Sequence, residues 1–261
     1  FEAFRFISPK SFSKTSHTPF LRTTVIDEEL LNGTEKRIFQ QITGSLLYLS
    51  ICTWPDLLTA VHELTRKMSS PRVIDLQKAK RAISYLASTA DYCLVFKAND
   101  TEEIFGWADS SFNSGEGDRR KRYGYCFQLG RSSGMFVAVC KRSTLVAQSS
   151  TEAEFYCLAE ATREMLWIRS FLHEILEEIQ CRKFFQDNTS TINMASHEGI
   201  SERSKHIDVK FHFVMQLKSS GEVEFPHINS PEMCADIFTK ELSDETYTKH
   251  AAVMQGFDSD A

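Results

Sequence analysis

Four carboxylates, Asp109, Glu154, Asp187 and Asp236, stand in stretches whose neighbours make sense only if each side chain projects into a common site. IFGWADSSF (104–112) and FFQDNTS (184–190) are apolar runs ending in Asp, the pattern of a strand that delivers a carboxylate at its C-terminal end. QSSTEAEFYCLAEA (148–161) and MCADIFTK (233–240) are helical in pattern and bring their acids in from the side. Carboxylates gathered in one place repel one another unless divalent cations neutralise them. Hard oxygen donors select Mg2+ or Mn2+. The residue types therefore predict a two-metal nuclease centre.

Glu152 competes with Glu154 for the second position. In a helix, acids at i and i+2 point to opposite sides, so only one faces the sheet. Leu158 and Ala159 extend an apolar face beside Glu154, which selects it. Thr151 with Glu154 also has capping-box spacing, so a cap is the competing role for that acid. His206, His212 and His227 have no spacing that assigns them a role, and a lone histidine is more often structural.

The elements that must position these groups fall into four stretches. Residues 1–34, rich in Ser, Thr, Pro and isolated Phe, read as an irregular lead-in. Residues 35–91 read as three helices. Ile38, Ile42, Leu46, Leu49 and Ile51 share one side of the first, Pro55-Asp56 starts the second, and Ala79, Ile83 and Leu86 line the third. From residue 92 to 240 the period changes. Strands are expected at 93–98, 102–109, 124–130 and 134–142, then a long helix over 151–179, a strand ending at Asp187, helices over 189–198 and 204–221, a strand EVEFPHI (222–228), and a last helix from Pro231 through Glu241. Read as three strands in meander, a helix, a strand, helices, a strand and a helix, that order predicts an α/β fold with helices on a mixed five-stranded sheet. Residues 241–261 have no strong period and read as a tail.

Composition bounds the rest. With 42% hydrophobic and 25% charged residues among 261, the chain is globular rather than disordered. Its net charge of −5 is uneven: residues 1–100 carry 13 Lys and Arg against 10 acids, and residues 101–261 carry 17 against 25. A phosphate-binding footprint must then be local, and Asp118-Arg119-Arg120-Lys121-Arg122 is the densest basic run. Arg66, Lys67, Lys78 and Arg81 add a basic character to the helical stretch. Seven scattered cysteines, none in C-x-x-C spacing, argue against zinc and disulfides and for reduced thiols inside a cell. No signal pattern and no membrane-length apolar run is present. The absence of an initiator Met fits a piece of a longer product.

Seven segments together resemble one family. They are GSLLYLSICTWPDLLTAVHELTRKMSSP (44–71), AKRAISYLAST (79–89), DRRKRYGYCFQLG (118–130), VAQSSTEAEFYCLAEATREMLWI (146–168), DNTSTINMA (187–195), RSKHIDVKFHFV (203–214) and ADIFTK (235–240). In this order they are similar to the C-terminal part of the Pol polyprotein of a copia-type LTR retrotransposon: the end of the reverse transcriptase, then its RNase H domain. The resemblance implies an RNase H-like sheet preceded by a small helical thumb or connection unit. It implies a metal-dependent endonuclease that cuts the RNA strand of an RNA–DNA hybrid with two Mg2+ or Mn2+ ions on Asp109, Glu154, Asp187 and Asp236. Ser110, Ser150, Thr151 and Asn188 become candidates for the minor groove, and Arg119 and Arg120 for phosphates. The implied partner within the parent polyprotein is the reverse transcriptase fingers and palm, and the implied location is cytoplasmic, in virus-like particles, or nuclear.

The chain departs from that family in places. Asp109-Ser110-Ser111 replaces an Asp-Ala-Asp triplet, and Ala138 stands where a tryptophan is usual. The polymerase aspartates are absent. An integrase-like transposase would use a final Glu where this chain has Asp236, and a proofreading exonuclease would need Asp-x-Glu at the first motif. A non-catalytic remnant that binds hybrids or serves as a structural module is the alternative.

Overall fold

In a computed structural model, the structure describes residues 16–21, 29–97, 103–111, 122–144, 147, 149–175, 180–196 and 208–257. The chain divides into two units, Phe1–Leu94 with Leu242–Ala251, and Val95–Glu241 with Ala252–Ala261.

The first unit is helical. Helix α1 (Gly33–Cys52) starts at a capping box: Asn32 accepts from the Thr34 and Glu35 N–H groups, while Glu35 reaches back to the Asn32 N–H. A 3-10 turn, Pro55–Leu57, leads into α2 (Leu58–Thr65), and α3 (Val73–Ser88) follows. Phe39, Ile42, Leu46, Leu57, Val61, Leu64, Ala79 and Ile83 are buried between them, each large side chain stabilising by about 1.5–3 kcal/mol. Ile51, expected on the inner side of α1, is 68% exposed; the inward stripe runs through Phe39, Thr43 and Ser50 instead.

The second unit is the mixed sheet flanked by helices that the RNase H-like expectation describes. Strands β1 (Glu103–Ser110), β2 (Arg122–Leu129) and β3 (Met135–Arg142) form an antiparallel meander, and β4 (Gln180–Phe185) joins β1 in parallel, giving the order β3-β2-β1-β4. Helices α4 (Ser150–His173), α5 (Thr189–Met194) and α6 (Asp208–Ser219) accompany the sheet. Ile104, Ala108, Tyr125, Phe127 and Phe184 from the strands meet Phe155, Leu158 and Ala161 of α4 and Phe211 and Val214 of α6 in one core.

Among the described residues, four strands rather than five make up the ladder. The segment around Glu224–His227 lies parallel to β4 with two isolated bridges, Lys183 to Glu224 and Gln186 to His227. Pro226 sits between them and offers no N–H, which interrupts the ladder there. Residues 92–97 are not a strand; Val95 instead donates to the Gln255 carbonyl and accepts from Gly134 N–H.

The last expected helix is also different. Residues 230–238 form two 3-10 turns, Ser230–Glu232 and Cys234–Phe238, parted by Met233 at ψ 88. Residues 233–239 are all buried, so the segment has no outer face for an amphipathic α-helix to show water. A Cβ on Gly124 of β2 would lie 2.3 Å from the Phe238 Cβ, so the glycine permits this close packing. Helix α7 (Asp244–Gln255) occupies the stretch read as a tail. No described helix is long and apolar enough to cross a membrane.

Candidate carboxylate site

Asp109 sits near the end of β1 and is fully buried. Its neighbours Ile104 and Ala108 anchor the strand in the core, which fixes where the carboxylate emerges. Glu154 reaches it from α4. That helix begins at Ser149, whose hydroxyl accepts the Glu152 N–H at 3.1 Å, two residues earlier than the Thr151 cap expected. Glu152 therefore lies in the acidic first turn, and Glu154, a little further on, turns inward and is 7% exposed. The Ser110 N–H donates to Glu154 Oε2 at 3.1 Å and ties the two elements together.

Asp187 follows β4 directly. Buried Gln186 accepts the N–H groups of Asp187 and Asn188 at 2.9 and 3.2 Å and shapes the turn. Ligand oxygens of Asp109, Glu154 and Asp187 lie within 4.8 Å of one another. Burial first, then the charges of Asp109 and Asp187, push the Glu154 carboxyl well above the usual range. A buried cluster of this kind fits a divalent cation, since three oxygen donors of one sign converge there.

Asp236 is brought in by the Cys234–Phe238 turn and connects to Asp109 through a residue the sequence reading missed. The Lys240 ammonium donates to Asp236 Oδ1 at 2.6 Å and to Asp109 Oδ1 at 3.3 Å. Thr239 donates its hydroxyl to the other Asp109 oxygen. Burial and then Asp109 push Asp236 up to about 7. Burial disfavours the Lys240 charge, but Asp109 and Asp236 outweigh it and hold that ammonium above the ordinary lysine range. The available signal was the acid and base four residues apart in ADIFTK, a spacing that pairs side chains on one turn. Ser230, also unassigned from sequence, donates to Asp187 Oδ2 at 2.8 Å.

The other expected site residues are placed unevenly. Ser110 is buried beside Asp109, its hydroxyl 3.4 Å from the Arg122 carbonyl. Ser150 is exposed and Thr151 half-buried in the first turn of α4. Asn188 caps α5 by accepting the Thr191 N–H at 3.1 Å. Arg119 and Arg120, like His206, lie outside the described residues. His212 is exposed on α6, and His227 is exposed where its segment bridges Gln186. Cys52, Cys93, Cys126, Cys140, Cys157 and Cys234 are free thiols.

No family model matches the chain. Over 220 residues it is 30% identical to the retrovirus-related Pol polyprotein from transposon RE1 of Arabidopsis thaliana, covering 84% of this chain and 15% of that one. Over 202 residues it is 29% identical to the corresponding polyprotein from transposon TNT 1-94 of Nicotiana tabacum, covering 77% and 15%. The chain thus spans 15% of the length of each of these relatives. LC11-RNase H1, isolated from compost by a metagenomic approach, overlaps with a TM-score of 0.40 at 13% identity, over 53% of this chain and 94% of that one. That overlap is too loose to add to the strand order.

Proposed function

The chain belongs to the retrovirus-related Pol polyproteins of copia-type transposons, and on that premise we propose that it is a metal-dependent ribonuclease H that hydrolyses the RNA strand of RNA–DNA hybrids. The observation that carries this reading is the convergence of Asp109, Glu154 and Asp187, from a strand end, a helix and a second strand end, to within 4.8 Å. These three would hold one Mg2+ or Mn2+, and Asp109 with Asp236 a second. Bound there, divalent ions supply Lewis-acid stabilisation of the phosphate and acidify a water.

The chain's own residues do the rest. Asp109 is kept rigid by Thr239 and by the strand behind it. Ser110 N–H orients Glu154 toward the cluster. Gln186 and Ser230 fix the Asp187 carboxylate and its turn. Preorganisation of this kind lowers the cost of reaching the transition state, because the charges need not reorganise. Ser110, Ser150, Thr151 and Asn188 surround the cluster in sequence and are assigned to the minor groove, where the 2′-hydroxyl distinguishes RNA from DNA. Arg119 and Arg120 are assigned to phosphates. The reverse transcriptase fingers and palm are the partner in the parent polyprotein, and the working location is intracellular, in a virus-like particle or the nucleus.

The test is cleavage of end-labelled RNA in Mg2+, presented alone and paired with DNA. The reading expects cuts within the paired RNA only, lost with a chelator and in Asp187→Asn. A folded protein that leaves the hybrid intact in Mg2+ and in Mn2+ would overturn it.

A further inference from the structure

Two halves of the carboxylate cluster are served differently. Asp109, Glu154 and Asp187 face one another with oxygens within 4.8 Å, and that group does not include Asp236. Between Asp109 and Asp236 stands a positive charge of the chain's own, the Lys240 ammonium, 3.3 Å from one and 2.6 Å from the other. We propose that Lys240 is the resident cation of this second half, and that a divalent ion enters between Asp109 and Asp236 only by displacing it. The inference rests on the ribonuclease reading and deepens it by giving the two ion positions an order of filling.

The local geometry suits a displaceable group. The Lys240 N–H donates to the Asp236 carbonyl at 2.9 Å, so acid and base share one turn and the tether is fixed. The Lys240 side chain is nevertheless 40% exposed, against 1% for Asp109 and 11% for Asp236. Its flexible methylene stem can therefore carry the ammonium out to water while the carboxylates stay in place. An ammonium and a divalent cation cannot share the same pair of oxygens, because their repulsion acts at close range in a poorly solvated site. In the Asp109–Glu154–Asp187 half, Lys240 pairs with Asp109 alone and at 3.3 Å, against 2.6 Å to Asp236, so that half fills first. Retaining a lysine there also spares Asp109 and Asp236 an uncompensated burial before substrate and ions arrive.

The experiment is calorimetric titration of Mn2+ alone into the full chain, as wild type, Lys240→Met, Lys240→Arg and Lys240→Met/Asp236→Asn, with melting curves to show that each is folded. Wild type and Lys240→Arg should bind one ion well and a second weakly. Lys240→Met, which keeps the stem and removes the charge, should tighten the second ion by about tenfold or more and the first by less than about threefold. The double variant should lose the tightened ion. If Lys240→Met leaves both affinities unchanged, or weakens the second ion, the inference is wrong. In that case binding of the first ion, abolished by Asp187→Asn, leaves the ribonuclease reading standing. If the folded wild type binds no Mn2+, both fall together.

Discussion

Asp56 in the helical unit and Asp109 in the sheet unit are both fully buried aspartates, and their surroundings are opposite. Asp56 receives the Tyr85 hydroxyl on its carboxyl, while Tyr247 donates to its backbone carbonyl at 2.7 Å. Burial first, then the Asp56 charge, holds the Tyr85 phenol far above the ordinary tyrosine range, so it remains a donor. Asp109 instead faces Glu154 and Asp187, with a lysine and a threonine on its other side. A buried acid given neutral donors is a structural joint. One given more acids is poised for a cation, and it costs stability until the cation arrives.

The largest expected effect separates the two sites. Asp109→Asn should lower hybrid cleavage by roughly a thousandfold or more, since it removes a carboxylate shared by both ion positions, with melting temperature nearly unchanged. Substantial cleavage by the folded variant would break the contrast from the sheet side. Asp56→Ala should do the converse, costing about 3 kcal/mol in denaturant unfolding while Mn2+ affinity stays the same, because it strands a buried donor on Tyr85. An unfolding free energy close to wild type would break the contrast from the helical side.

A smaller effect sharpens the comparison through pH. Glu154 has its folded pKa raised above 4.5, so between that value and its raised pKa the folded chain binds more protons than the unfolded one. Stability from this group is present in acid and lost as pH rises through that window. Metal-free Glu154→Gln should then be more stable than wild type near neutral pH, with the difference shrinking toward pH 4.5. Saturating Mn2+ should reverse the ranking, as only wild type gains full binding energy. Equal stability across the pH range would mean that the cluster is not strained.

Much of this was legible in the sequence because burial leaves a period behind. Leu57, Val61 and Leu64 recur at helical spacing and are all buried, and Leu158 and Ala159 marked the side of α4 that carries Glu154 rather than Glu152. What stayed hidden lacks a period. Residues 233–239 are buried on every side, so an apolar run there looked like a helix and folds as 3-10 turns. The strand pattern of EVEFPHI survives only as two bridges, since Pro226 cannot donate. The capping box of Asn32 with Glu35 likewise rests on two polar residues and leaves no period. Lys240 was invisible as a site residue because most lysines near acids are solvated, and only the depth of Asp109 and Asp236 makes this one different.

The central claim is that Asp109, Glu154 and Asp187 hold a divalent cation, and crystals grown with Mn2+ test it most directly through the anomalous signal of the ion. The account predicts a Mn2+ peak in contact with carboxylate oxygens of all three residues, absent in Asp187→Asn crystals grown in the same way. Well-ordered wild-type crystals with Mn2+ bound elsewhere and none among these three carboxylates would contradict it.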